Sequence, residues 1–270
     1  MSDPLSGVWS AAVTPLHDDL TVNLDAMVAH HKWLLSNGCD GVAVLGTTGE
    51  GNSFSVKERL DVIAAAASSG ITKGQLLIGT GCCAPTDTIE LTQAALDAGL
   101  TQVLMLPPFY YKGVSEDALF ASFDHIIQKL ADDRLRIVVY DFPLMTGLDI
   151  SVDLLVRLNK AYPNTVVGVK DSSGNWPAMQ AVIQAIPGFR MFAGTEQYLL
   201  ANLQEGGAGC ITATGNATSH LCQLVHAAFL AGDTSGAEAA QEVVTATRLM
   251  LQAHGMVPGM KELMAQNTGD

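Results

Sequence analysis

Short apolar runs recur along the chain at intervals of roughly thirty residues, the length of one strand–helix unit. They cover residues 7–14, 41–46, 75–81, 101–107, 136–142, 166–171, 189–194 and 208–213, and most are apolar throughout rather than alternating. Unbroken apolarity marks a strand buried on both faces, as in a parallel sheet covered by helices. Between the runs lie segments with apolar residues at helical spacing, at 24–36 and 56–67, and further helices are expected at 151–158, 176–186 and 196–204. Pro85-Thr86-Asp87-Thr88 and Ser115-Glu116-Asp117 read as helix starts, with a capping oxygen and first-turn acids. Eight strands alternating with helices predict an α/β fold, a closed (β/α)8 TIM barrel. The alternative is an open doubly wound sheet. Against it, no Gly-x-Gly-x-x-Gly follows an early strand and no Gly-x-x-x-x-Gly-Lys occurs.

Past residue 213 the pattern changes. A helix at 221–230, an Ala/Glu/Gln-rich stretch at 235–253 and a last helix at 260–266, opened by Pro258, follow without strands. The expected organisation is a catalytic barrel domain over 1–218 and a short C-terminal helical appendage over 219–270. With no Pro/Ser linker between them, the appendage should pack on the barrel.

Composition narrows the function classes. The 270 residues are 48% hydrophobic, enough to bury a sizeable core. A net charge of −13 argues against nucleic acid or an anionic membrane as partner. No stretch approaches the ~18 unbroken apolar residues of a membrane span, and residues 1–8 lack the basic flank and apolar core of a secretion signal. Five cysteines (Cys39, Cys82, Cys83, Cys210, Cys222), odd in number and without CxxC spacing, fit a reducing cytoplasm rather than a disulfide framework or zinc site.

Barrels of this kind build their active sites at the C-terminal ends of the strands. The residues there are an amine, several phenols, many hydroxyls and glycines. Lys170 ends the β-branched run Thr165-Val166-Val167-Gly168-Val169, and the other seven lysines fall in helices or loops. Burial disfavours a charged ammonium, so a buried lysine is a candidate amine nucleophile for Schiff-base chemistry on a carbonyl. The alternative is a lysine neutralised by Asp171. Gly46-Thr47-Thr48-Gly49-Glu50 can turn tightly and direct N–H and hydroxyl groups onto a small anion, or simply cap the next helix. Tyr140 ends the strand beside that of Lys170, as a proton carrier or as a half-buried aromatic. Tyr110 and Tyr111 sit in a loop, where packing or a subunit contact is the plainer role. None of the seven histidines lies at a strand end, and Glu50, Asp141, Asp171 and Glu196 lack such company, so no metal site is expected.

Three motifs together, Gly46-Thr47-Thr48-Gly49-Glu50, Tyr140-Asp141-Phe142-Pro143 and Gly168-Val169-Lys170-Asp171, resemble the dihydrodipicolinate synthase / N-acetylneuraminate lyase family of pyruvate-dependent class I aldolases and lyases. The similarity runs from about residue 7 to 266, with the motifs in order and on the expected strands. The resemblance implies that Lys170 forms the Schiff base with pyruvate and that Tyr140 is the acid/base. It implies that Thr47 and Thr48 bind the pyruvate carboxylate, Thr47 also relaying protons. Tyr110 matches a tyrosine that completes the relay in a neighbouring subunit, and Gly46, Gly194 and Ile211 match positions contacting pyruvate or the lysine. It further implies small-molecule substrates, no metal or organic cofactor, and a homo-oligomer, a dimer or a tetramer built from dimers.

Departures from the family pattern bear on substrate. The synthase branch typically reads Tyr-Asn-x-Pro-x-Arg-Thr, its arginine holding the carboxylate of aspartate semialdehyde. Here Tyr140-Asp141-Phe142-Pro143-Leu144-Met145-Thr146 places Met145 at the arginine position, and a thioether cannot replace a bidentate cation. Pro107-Pro108-Phe109-Tyr110-Tyr111 looks like the branch that handles 2-keto-3-deoxy sugar acids, whereas Thr47 differs from the serine of sialic-acid lyases. Lys112 is a candidate distal cation for a substrate carboxylate, or a solvated loop charge. Ser173, Thr195, Thr214 and Asn216 are candidates for sugar specificity. The expected activity is aldol cleavage of a 2-keto-3-deoxy sugar acid or related 4-hydroxy-2-oxo acid. The alternatives are dihydrodipicolinate synthase, a dehydratase using the same imine, and a non-catalytic keto-acid-binding protein.

Overall fold

Eight parallel strands close into a barrel in chain order: β1 (Gly7–Ala11), β2 (Gly41–Val44), β3 (Leu76–Gly79), β4 (Gln102–Met105), β5 (Arg136–Asp141), β6 (Val166–Asp171), β7 (Arg190–Ala193) and β8 (Gly209–Thr212). The ring is closed by β8 against β1, with Val8 opposite Cys210 and Ser10 opposite Thr212. This is the (β/α)8 barrel expected from the sequence, seen in a computed structural model that describes residues 5–268. Several strands stop short of the apolar runs at their C-terminal ends. Ala12, Val13 and Thr14, for example, stay buried after β1 has ended. Apolar patterning reports burial, and here burial continues into the loops that build the site.

The helices are α1 (Leu24–Ser36), α2 (Val56–Ser68), α3 (Pro85–Asp97), α4 (Glu116–Leu130), α5 (Pro143–Thr146), α6 (Val152–Ala161), α7 (Trp176–Ala185), α8 (Leu199–Gln204), α9 (Gly215–Leu230), α10 (Thr234–Gln252) and α11 (Met256–Thr268). Local chemistry accounts for most starts. The Ser55 hydroxyl and Glu58 form a reciprocal capping box on α2, and Ser115 and Ser151 cap α4 and α6. The expected capping oxygen on α3 is absent; Ala84 precedes Pro85, whose fixed φ and missing N–H suit the first helical position. Three differences from the sequence reading stand out. The short α5 follows β5 directly. Helix α9 starts at Gly215 rather than 221 and kinks at Thr218 (φ −122°). Helix α11 begins before Pro258, which sits in its first turn, where backbone N–H groups have no helical acceptor to lose.

Strand alternation sorts the side chains into two shells. Trp9, Ala43, Leu77, Leu104, Val138, Phe192 and Ile211 fill the barrel interior. Val42, Val44, Leu76 and Ile78 pack outward in the shell that holds buried residues of α1 to α3, and Ile137, Val139, Val169 and Met191 in the shell of α4, α6 and α7. The β5–β6 register sets Tyr140 beside Lys170 and Asp141 beside Asp171. Tyr140 shares the interior face with Val138, so Lys170 faces inward too and both aspartates face the helical layer. The C-terminal helices are tied to the strand ends. Gln241 of α10 donates to the Glu196 carbonyl (2.9 Å) and accepts from the Leu200 N–H (3.0 Å), and Arg248 bonds the buried Glu196 carboxylate (3.1 Å). Met260 and Met264 of α11 bury against Val13. Among the described residues, no helix is long and apolar enough to cross a membrane.

Candidate active site

Lys170, 4% exposed, is the penultimate residue of β6, with its Nζ 4.4 Å from the centroid of the Tyr140 ring. The Tyr140 hydroxyl lies 3.3 Å from the Thr47 hydroxyl, which comes from the turn after β2. An amine from β6, a phenol from β5 and an alcohol from the turn after β2 thus form one line. The Tyr140 ring is itself steadied by stacking on Phe142 at 5.7 Å. Gly46, Thr47, Asn52, Leu104 and Tyr140 line a cleft of roughly 250 Å³, mouth included.

The Gly46-Thr47-Thr48-Gly49 turn is tightly folded. The Glu50 N–H bonds the Thr47 carbonyl, the Gly51 N–H bonds the Gly46 carbonyl (both 3.1 Å), and the Thr14 hydroxyl donates to the Gly49 carbonyl at 2.7 Å. Leu45 and Glu50 flank it in left-handed backbone (φ 60° and 54°), a conformation that non-glycine residues adopt at a cost. Position 51 must be glycine because a Cβ there would lie 2.2 Å from the Leu45 carbonyl. Thr48 is buried within this turn.

The other expected site residues divide. Gly194 brings the end of β7 against β6: its N–H bonds the Asp171 carbonyl at 2.6 Å, and a Cβ would meet the Ser172 hydroxyl at 2.1 Å. Ile211 is fully buried in the barrel interior. Tyr110 is 72% exposed and stacks edge-on against Tyr111. The Lys112 ammonium donates to the carbonyls of Phe109 and Thr146, tying its loop to α5. The hydroxyl and amide candidates for sugar specificity are engaged in the scaffold. Thr214 bonds the Glu196 carboxylate, and Asn216 clamps the Val13 N–H and the Ala11 carbonyl. Ser173 donates to Asp171 and Thr195 to Gln197.

Asp171 does not act as the counter-ion of Lys170. Adjacent strand residues point to opposite faces, and Asp171 accepts instead from the N–H and hydroxyl of Ser173 (2.7 and 2.6 Å). Next to it, Asp141 has a carboxyl pushed up to about 7, chiefly by burial and further by the Asp171 charge. Asp171 is also raised by burial, against which the Ser173 bonds pull it down. The sequence named both acids but not their pairing, which depends on the β5–β6 register. Asn52 was not anticipated either; it enters the cleft through a 3-10 turn, Gly51–Ser53, that has no helical periodicity to announce it. Among the described residues, no three His, Cys, Asp or Glu side chains converge to hold a metal ion.

Comparison with known proteins identifies the family. A model of the Dihydrodipicolinate synthetase family matches residues 4–268. An uncharacterised DapA-like lyase of Chloroflexus aurantiacus is 34% identical over 97% of this chain and 86% of its own. A 4-hydroxy-tetrahydrodipicolinate synthase of Rhizobium meliloti is 33% identical over 84% and 76%. Among solved structures, a prophage protein of the dihydrodipicolinic acid synthase family from E. coli K12, in complex with pyruvate, superposes with a TM-score of 0.89 at 27% identity, over 95% of this chain and 86% of its own. The pyruvate complex of a dihydrodipicolinate synthase from Acinetobacter baumannii does so with 0.88 at 27%, over 97% and 88%. The chain belongs to the dihydrodipicolinate synthetase family and is a lyase.

Proposed function

We propose that the chain is a pyruvate-dependent, Schiff-base-forming carbon–carbon lyase, a class I aldolase acting on a 2-keto-3-deoxy sugar acid or a related 4-hydroxy-2-oxo acid. The observation that carries the reading is the buried Lys170 amine packed on Tyr140, whose hydroxyl meets Thr47. Two structural neighbours were solved with pyruvate, which supports a keto acid as the ligand.

In this reading the Lys170 amine adds to the keto carbon; a proton delivered through Tyr140 and the loss of water then leave a protonated imine. That imine is an electron sink. In cleavage, the 4-hydroxyl loses its proton, the carbon–carbon bond breaks, and its electrons form the pyruvyl enamine while an aldehyde departs. Protonation of the enamine carbon and hydrolysis then release pyruvate and the free lysine. Tyr140 carries the protons, passing them through Thr47. The N–H groups and hydroxyls of the Thr47–Thr48 turn hold the keto-acid carboxylate, with Gly46, Gly194 and Ile211 shaping its surroundings. Tyr110 serves a neighbouring copy in a homodimer or homotetramer, and Lys112 fixes the loop that carries it. The enzyme works in the cytoplasm.

A second reading, 4-hydroxy-tetrahydrodipicolinate synthase, is favoured by the names of several relatives. Against it, α5 presents Met145, 56% exposed, where a second carboxylate would need a cation. Borohydride reduction with pyruvate, followed by peptide mass mapping, tests the central claim. A reduced pyruvyl adduct on Lys170, lost in Lys170→Ala, is expected; a folded wild-type chain without that adduct refutes it. Cleavage of keto-deoxy acids against condensation with aspartate semialdehyde then separates the two readings.

A further inference from the structure

The turn that holds the reactive line is gripped from outside the barrel. Glu50 closes the Gly46-Thr47-Thr48-Gly49 segment in left-handed backbone, φ 54° and ψ 28°. Its N–H is bonded to the Thr47 carbonyl and its own carbonyl accepts from the Ser53 N–H, so its backbone is part of the turn. Its side chain turns away from the cleft to the ammonium of Lys261 on α11, at 2.6 Å. Lys261 is 211 residues further along the chain. The same helix buries Met260 and Met264 on Val13, the residue before Thr14, whose hydroxyl bonds the Gly49 carbonyl. One helix therefore touches both supports of the turn: the Val13–Thr14 segment on one side and Glu50 on the other.

A left-handed non-glycine residue persists only where its surroundings hold it. The Glu50–Lys261 pair is one such restraint. With side chains 28% and 31% exposed, the pair is neither fully solvated nor deeply buried. Releasing the carboxylate would let Glu50 relax, and the Thr47 carbonyl would move with the Glu50 N–H bonded to it.

We infer that Lys261 and Glu50 are positioning residues, and that through them α11 holds the Thr47–Thr48 turn in the geometry that receives the keto-acid carboxylate. This inference rests on the pyruvate reading above. It makes the C-terminal helix part of substrate affinity rather than a passive cover. Neither residue touches the reacting atoms, so their loss should weaken keto-acid capture without removing the amine chemistry.

The test is borohydride trapping of pyruvate by the full chain, with the rate followed against pyruvate concentration. Lys261→Met and Glu50→Gln are each expected to raise the half-saturating pyruvate concentration about two- to five-fold, the range for a partly exposed ion pair, with the trapping rate at saturation unchanged. The double variant should be no worse than either single one, because the two changes remove one interaction. Glu262→Gln, on the same helix and with its carboxylate accepting from Gln266, serves as the control that leaves capture unchanged. If Lys261→Met fails to fold, Glu50→Gln decides alone, since it leaves Met260 and Met264 in place. Half-saturation equal to wild type in the folded variants, or strictly additive losses in the double variant, would overturn the inference. Absence of a wild-type adduct on Lys170 is a different result: it removes the pyruvate reading itself.

Discussion

Replacing Asp141 by Asn should stabilise this protein, and by an amount that grows with pH. Asp141 is buried at the end of β5 beside Asp171, and its carboxyl is raised from the ordinary 3.8 to about 7. The native state therefore holds a proton that the unfolded chain releases near pH 4. Between those limits the native state binds more protons, so stability falls as pH rises, and the cost is complete above pH 7. At about 1.4 kcal/mol per pH unit, the span from 3.8 to about 7 sets an upper bound near 4 kcal/mol. Relaxation and water entry reduce it, leaving an expected gain of about 1–3 kcal/mol at pH 8.5. Asparagine is nearly isosteric, stays neutral throughout, and can still accept from the Ile150 N–H through its amide oxygen. Urea unfolding of wild type and Asp141→Asn, followed by tryptophan fluorescence at pH 4.5, 6.5 and 8.5, measures the difference. The two should be close at pH 4.5 and diverge steadily upward. A difference that stays flat across this range, or favours Asp141 at high pH, would show that the Asp141 carboxylate is well accommodated as an anion and that burial is not the controlling term.

Two further substitutions probe specificity and the C-terminal helices. Met145→Arg places a guanidinium on α5 at a position that is 56% exposed; catalytic efficiency toward a semialdehyde with a distal carboxylate should rise about tenfold, the worth of one charge-assisted contact at an exposed position, and a coupled condensation assay showing no gain would separate Met145 from substrate choice. Arg248→Met strands the Glu196 carboxylate, 1% exposed, without its cation. A loss of about 3–5 kcal/mol in urea unfolding is expected; a neutral result would mean that Thr212 and Thr214 alone satisfy Glu196.

The sequence exposed the barrel readily because most strands are apolar on both faces, and that signal needs no knowledge of pairing. The short α5 and the 3-10 turn Gly51–Ser53 left no trace, since pieces of three or four residues cannot show a period. The reach of α9 back to Gly215 was hidden by Thr214-Gly215-Asn216, which reads as a loop although Asn216 is fully buried and bonds the β1 and β8 ends. Candidate site residues were legible where chemistry is rare, as with a lysine near the end of a strand. They were illegible where chemistry is common. Many hydroxyls follow these strands, and nothing local says that Thr47 meets Tyr140 while Thr214 is spent on Glu196.

What decides such cases is strand parity together with register. Lys170 and Asp171 are neighbours in sequence, and their adjacency invites pairing. Yet one step along a strand is a half-turn of side-chain direction, so the amine enters the barrel and the acid enters the helical layer. The same step on β5 separates Tyr140 from Asp141. In the proposed mechanism the inward pair is a nucleophile and its proton carrier, and the outward pair is two acids in one buried place. The electrostatic cost of that outward pair is thus a consequence of the register that brings Tyr140 to Lys170. An asparagine at 141 would remove the cost and leave that register intact, which is why the Asp141→Asn variant is expected to keep the Lys170 adduct while gaining stability.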